Sequence, residues 1–158
     1  MFESRGTHHK YWCMSSFTKS FDKPLVVIDT GDGRKWKLAE EFEYHVGSSD
    51  SEEVIKVPAG FVTDFATIPQ FLWGIFPPTG KYTKAAVIHD YLTANKGRIP
   101  YSTSSDGNIT YRCYTKTQVD KIFLEAMGVL GVNPIIKRII WGAVTAFGDR
   151  SGYINTSI

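Results

Sequence analysis

The sequence is poor in cysteine, with only Cys13 and Cys113, a hundred residues apart. Two such thiols outline no disulfide framework, and free buried thiols are the expectation. Long apolar runs are missing too. The longest, residues 71–78 and 139–147, fall far short of the ~20 residues a membrane-spanning helix needs. Nor is there an excess of one charge. Eighteen Lys and Arg against 16 Asp and Glu leave +2, so field strength gives no strong signal for nucleic acid or a membrane. No serine stands in a Gly-x-Ser-x-Gly context and no thiol stands beside a base, which leaves Ser or Cys nucleophiles unsupported. Gly31-Asp32-Gly33 lacks the Lys-Ser/Thr of a phosphate loop and reads as a turn. The first residues, with Glu3, Arg5, His8, His9 and Lys10, lack the apolar stretch of a secretory signal. A soluble protein of a reducing cytoplasm is the expectation.

What is present is enough for a core. At 158 residues, 42% hydrophobic and 14% aromatic, the chain fits a single domain over residues 1–158. Residues 1–14 read as a loosely attached arm. Pro24 to Thr30 is short and β-branched, a buried strand, and the Gly31–Gly33 turn leads into a hairpin with residues 34–38. Phe42, Tyr44 and Val46 alternate with Glu41, Glu43 and His45, the period of a half-solvated strand. Another short strand, residues 54–57, completes an antiparallel meander. Residues 71–78, aromatic and proline-rich, read as a core-lining loop in preference to an exposed docking surface. Then the period changes. Ala85, Ile88 and Leu92 form a helical stripe within residues 82–95. Residues 97–115 are a polar insertion with a hairpin turn at Asp106-Gly107. Thr115 to Gln118 matches a capping box for a second helix, and Asn133-Pro134 starts a third. Strands first and helices second predict an α+β fold, an N-terminal antiparallel β meander packed against three C-terminal helices.

Residues 59–95 bring polar groups into a segment otherwise built for burial. Asp64 stands in a Thr-rich turn, and His89 and Asp90 are adjacent on the first helix. His89 shares the stripe of Ala85, Ile88 and Leu92 and faces inward, with Asp90 about 100° further round. Imidazole and carboxylate together suit a borderline divalent metal. Asp64 is the first candidate for a further ligand and Asp120, on the apolar second helix, the next. Thr63 and Thr67 are expected to support the acids with hydroxyls. Each residue also has a structural reading. Asp64 serves as a turn carboxylate, His89 as a buried staple to Asp64, and Asp120 gains from the helix macrodipole. Convergence of three acids and a histidine would favour a site.

The run Gly60-Phe61-Val62-Thr63-Asp64-Phe65-Ala66-Thr67-Ile68-Pro69, followed by Tyr82 to Leu92 with His89-Asp90, resembles the family catalogued as domain of unknown function 1353. Asp120 in Val119-Asp120-Lys121-Ile122-Phe123 fits a later acid of that pattern, and Ala143 to Gly148 resembles its last helix. The resemblance spans roughly residues 24–150. It implies a protein of tailed bacteriophages or prophages, made in the host cytoplasm or incorporated in the virion, with other virion proteins as partners. The insertion at 97–115 and the N-terminal arm depart from it. The His-Asp pair is also similar to that of HD-domain metal phosphohydrolases, but their upstream histidine is missing here and Asp64 would substitute from a turn. The expected function is a small metal-dependent hydrolase. Asp64, His89 and Asp90 would be catalytic, and these three with Asp120 would hold a divalent metal. The alternatives are a virion-associated or accessory structural protein with a buried polar network, and a module that sequesters a host signalling nucleotide.

Overall fold

The structure, a computed structural model, describes residues 12–14, 20, 21, 23–65, 70–75 and 80–153. Strand β1 (Trp12–Met14) pairs antiparallel with β2 (Leu25–Asp29), which pairs with β3 (Trp36–Leu38). Strands β4 (Phe42–His45) and β5 (Val54–Val57) form a separate two-stranded sheet, and β6 (Val62–Thr63) returns to the far edge of β3. The expected meander is therefore two small sheets. The division comes at the Ala59–Gly60 turn. Gly60, at φ +86, donates to the Leu38 carbonyl, while Leu38 donates to that of Phe61. Those bonds give β3 a partner on the side where β4 would otherwise lie.

The α+β arrangement holds, with antiparallel strands in small sheets and three C-terminal helices, and three local features add to the sequence reading. Residues 12–14 form an edge strand, because Trp12 to Met14 meets the unpaired side of Leu25 to Val27; residues 1–11 lie outside the described residues. Cys113 is free but exposed, since it sits on an outward-facing ribbon. The aromatic stretch is mixed. Leu72 and Trp73 pack against the core, while Phe71 and Ile75 are 66% and 71% exposed, and residues 76–79 lie outside the described residues.

The helices follow their sequence signals. Helix α1 (Thr83–Ala94) is buried along most of its length and ends at Gly97, whose amide reaches the Leu92 carbonyl. The insertion forms a hairpin of β7 (Arg98–Thr103) and β8 (Ile109–Cys113). Helix α2 (Lys116–Val129) opens on the capping box of Thr115 and Gln118, with both reciprocal bonds made. Helix α3 (Pro134–Phe147) starts with Asn133 accepting from the Ile135 and Ile136 amides. Helix α1 packs on α2, and α2 on α3.

The core runs from Phe21, Phe42, Tyr44 and Ile55 across Ile88 and Leu92 to Phe123 and Met127. A polar tie joins sheet to helix at its edge. Glu125 accepts from the Tyr44 hydroxyl at 2.6 Å and the Gly47 amide at 2.7 Å. Burial, then the bond to Glu125, pushes the Tyr44 hydroxyl far above its ordinary pKa of 10.0. Glu125→Ala leaves that buried hydroxyl without its acceptor, and thermal melting is expected to show a loss of about 2 kcal/mol.

Candidate active-site cleft

The cleft is built by β6, α1 and the end of α3. Thr63 lies at the end of β6 opposite Trp36 of β3, and Asp64 follows as the chain leaves the sheet. The next residue, Phe65, has φ +54, a left-handed conformation unusual for a bulky side chain. Two contacts hold it there. Its ring is buried beside Trp36, centroids 6.3 Å apart, and its amide donates to Thr63 Oγ1 at 3.1 Å. Backbone held off its preferred regions clusters at functional sites. Here it turns Asp64 outward while its neighbours on both sides remain buried.

Helix α1 brings the other acid. The Thr63 hydroxyl donates to Asp90 Oδ2 at 2.5 Å, so one threonine links the end of the sheet to the helix. Asp90 is half-buried. Thr63, Asp64, His89, Asp90 and Thr93 make the polar side of a cleft of about 570 Å³, whose other walls include Phe61, Val144 and Phe147. Lys35 also borders it. Such a space, mostly apolar with a few convergent polar groups, is the usual form of a small-ligand site.

His89 looks the other way as well. Its Nε2 lies 3.0 Å from Asp120 Oδ1, and its ring is tilted against Phe123 at 4.9 Å between centroids. The Lys116 ammonium donates to the same Asp120 oxygen from one helical turn earlier. Asp120 is 1% exposed, His89 5% and Lys116 7%. Burial raises the Asp120 pKa, but the hydrogen bonds from His89 and Lys116, together with their charges, outweigh it and hold the carboxyl below its ordinary 3.8. Asp120 Oδ2 is buried with no hydrogen-bond partner among the described residues. The staple thus joins α1 to α2, where the sequence suggested sheet to helix. It also lies just behind the cleft wall. A Cβ on Gly148, which lines the cleft, would stand 2.9 Å from Lys116 Nζ and 2.5 Å from the Val144 carbonyl oxygen.

The three acids and one histidine singled out from sequence are therefore divided. Asp64 and Asp90 face the cleft, His89 stands at its inner wall, and Asp120 belongs to the buried network. Thr67 lies outside the described residues. Among the described residues no three His, Cys, Asp or Glu side chains are grouped to hold a metal ion. The reason is local: His89 Nε2 is used on Asp120, and the Lys116 ammonium already provides positive charge at that carboxylate. A four-ligand metal set does not fit this arrangement. Two carboxylates bordering a cleft do suit an oxygen-preferring ion such as Mg²⁺, which often takes one or two carboxylates and keeps several waters. Sequence reasoning missed Lys116, although its i, i+4 spacing to Asp120 was the available signal. It also missed Val144 and Phe147, which reach the cleft only through the packing of α3.

Residues 36–144 match the model of a family described as protein of unknown function (DUF1353). A protein of Sinorhizobium fredii (strain NBRC 101917 / NGR234), "Uncharacterized protein y4jT", is 47% identical over 80 residues, covering 48% of this chain and 22% of the relative. The match thus spans about a fifth of that relative's length. No solved structure matches the chain. No helix among the described residues is long and apolar enough to cross a membrane.

Proposed function

The chain belongs to the DUF1353 family, whose name assigns no activity, and we propose that its cleft is the active site of a small hydrolase. One observation carries this reading. A half-buried carboxylate, Asp90, is oriented by the Thr63 hydroxyl at 2.5 Å on the polar side of a cleft that a second acid, Asp64, also borders. A carboxylate oriented by a hydroxyl is suited to take a proton from an attacking water, the role of a general base. The proton that Asp90 takes is then returned from Asp90 to the leaving group, and Asp64, on the solvent side, borders the space where substrate would lie. His89, held by Asp120, is a positioning residue here: it fixes the face of α1 from which Asp90 projects. Asp64 and Asp90 are also the residues that would hold a divalent ion, and an ion bound there would supply a water of lowered pKa. The substrate bonds that suit such a site are phosphodiester, nucleotide and cell-wall amide bonds. The phage setting belongs to this proposal and is supported by the motif resemblance.

The test is turnover by the purified protein against those three substrate classes, with and without Mg²⁺. Asp90→Asn is expected to lower turnover at least about 100-fold while melting close to wild type. Equal turnover in the two proteins would place the chemistry elsewhere. A second reading, an accessory structural protein, is favoured by the rim of the cleft. There Phe71 and Phe147 pack edge to face at 5.6 Å while remaining 66% and 71% exposed. That reading expects Phe147→Ser to abolish a docking partner's binding and Asp90→Asn to leave it intact.

A further inference from the structure

The cleft carries a cation as well as its two acids. Lys35 and Lys37 flank Trp36, so they share one side of the chain as it enters β3, and both are exposed. Trp36 pairs with Thr63 and Lys37 with Val62, and the next step of that antiparallel register sets Lys35 across from Asp64. The turn before β3 fixes the Lys35 backbone. Asp32 Oδ1 accepts from its amide at 2.7 Å, and the Thr30 hydroxyl donates to its carbonyl at 2.9 Å. The ammonium is left over. It borders the cleft and makes no ion pair or side-chain hydrogen bond among the described residues. Asp32 feels its charge, but Oδ1 of that carboxylate is committed to the amides of Arg34 and Lys35. An aromatic ring faces the same space. Phe147, the last residue of α3, lines the cleft while 71% exposed, packed edge to face on Phe71.

We infer that the cleft takes a single nucleotide, with Lys35 on its phosphate and Phe147 on its base, a reading that rests on the hydrolase site proposed above and selects one of its substrate classes. An ammonium without a protein anion is a point charge suited to a phosphate. Mg²⁺ is bound by one or two carboxylates plus substrate phosphates more often than by a full protein cage. Asp64 and Asp90 are such a pair, and a phosphate would bring the oxygens they lack. On the other side, Phe61, Val144 and Phe147 form an apolar wall. A base suits it, since stacking on an exposed aromatic ring asks only for a π face. The space, about 570 Å³, is of the size that takes one small ligand. A cell-wall peptide fits less well: its carboxylates could meet Lys35, but it has no flat ring for Phe147.

The test is isothermal titration calorimetry of the full chain in Mg²⁺ buffer, set beside the turnover assay above. The ligands are AMP, GMP, CMP and UMP, with adenosine and inorganic phosphate as fragments. The best nucleotide is expected to bind at least about tenfold more tightly than either fragment. Lys35→Ala should weaken it about tenfold and leave adenosine unchanged, and Lys35→Arg should restore it. Phe147→Ala should weaken nucleotide and adenosine alike, about tenfold, and leave phosphate unchanged. Both side chains are exposed, so each variant's melting temperature should match wild type. Binding in this pattern without turnover of any substrate would support the nucleotide inference and overturn the hydrolase reading. Turnover of a cell-wall amide with no nucleotide bound at about 1 mM would do the reverse. Nucleotide affinity unchanged by both alanine variants, or no greater than that of phosphate alone, would overturn the inference whatever the turnover.

Discussion

Asp120→Ala is expected to destabilise the protein by about 3–5 kcal/mol, among the largest effects of any single substitution here. The carboxylate accepts from both His89 and Lys116, and all three groups are nearly inaccessible. Removing it leaves an ammonium and an imidazole facing each other without an acceptor. Denaturant unfolding at pH 7 would measure the loss. The same loss is expected in EDTA, because the network supplies its own positive charge. A loss that vanished in EDTA would instead identify a metal at Asp120. The pH dependence has a definite sign. The folded-state pKa of Asp120 is depressed below 3.8, so its contribution is fully present above the unfolded value. It is lost as pH falls from about 4 through the lower folded value. The gap between wild type and Asp120→Ala should therefore narrow below pH 4 and stay constant from about 5 upward in this group's account.

Gly97→Ala should be comparably damaging, at about 3 kcal/mol or more. Gly97 has φ +76, and a Cβ there would lie 2.0 Å from the Tyr114 carbonyl oxygen. The obstacle is backbone, so no rotamer can yield. The close approach exists because the Tyr114 amide donates to the Gly97 carbonyl at 2.8 Å, closing the base of the ribbon between α1 and α2. Equilibrium unfolding measures the effect. A variant as stable as wild type would mean that the ribbon base can open without consequence for the helices it joins.

The helical half was the more legible from sequence, and the reason is locality. Thr115 and Gln118 state the start of α2 within four residues, and Asn133-Pro134 does the same for α3. The sheets were less legible. Alternation in Phe42, Tyr44 and Val46 announces a strand and its buried face but never its partner. That choice depended on a turn at Gly60 carrying the chain back to Leu38. The site divides along the same line. Asp64, His89 and Asp90 stand out because each is polar within an apolar context. How they group is tertiary information: Asp90 meets Thr63 at a sequence distance of 27, and His89 meets Asp120 at 31. Lys116 escaped notice because a lysine in the first turn of a helix reads as solvated, and it opposes the macrodipole. Only the burial of Asp120 gives its position a purpose.

That lysine has a consequence for how the helices find each other. Lys116 and Asp120 lie one turn apart on α2, so their pair forms with the helix itself and needs no other element. Helix α1 contributes one group, His89, at one height along its axis. A slide of α1 by a single turn, about 5.4 Å, would bring Ala85 or Thr93 opposite Asp120. The apolar stripe alone would tolerate such a slide better than the carboxylate would. The polar network therefore acts as an alignment mark for the α1–α2 pair. In setting that height it also sets where Asp90 stands relative to Thr63.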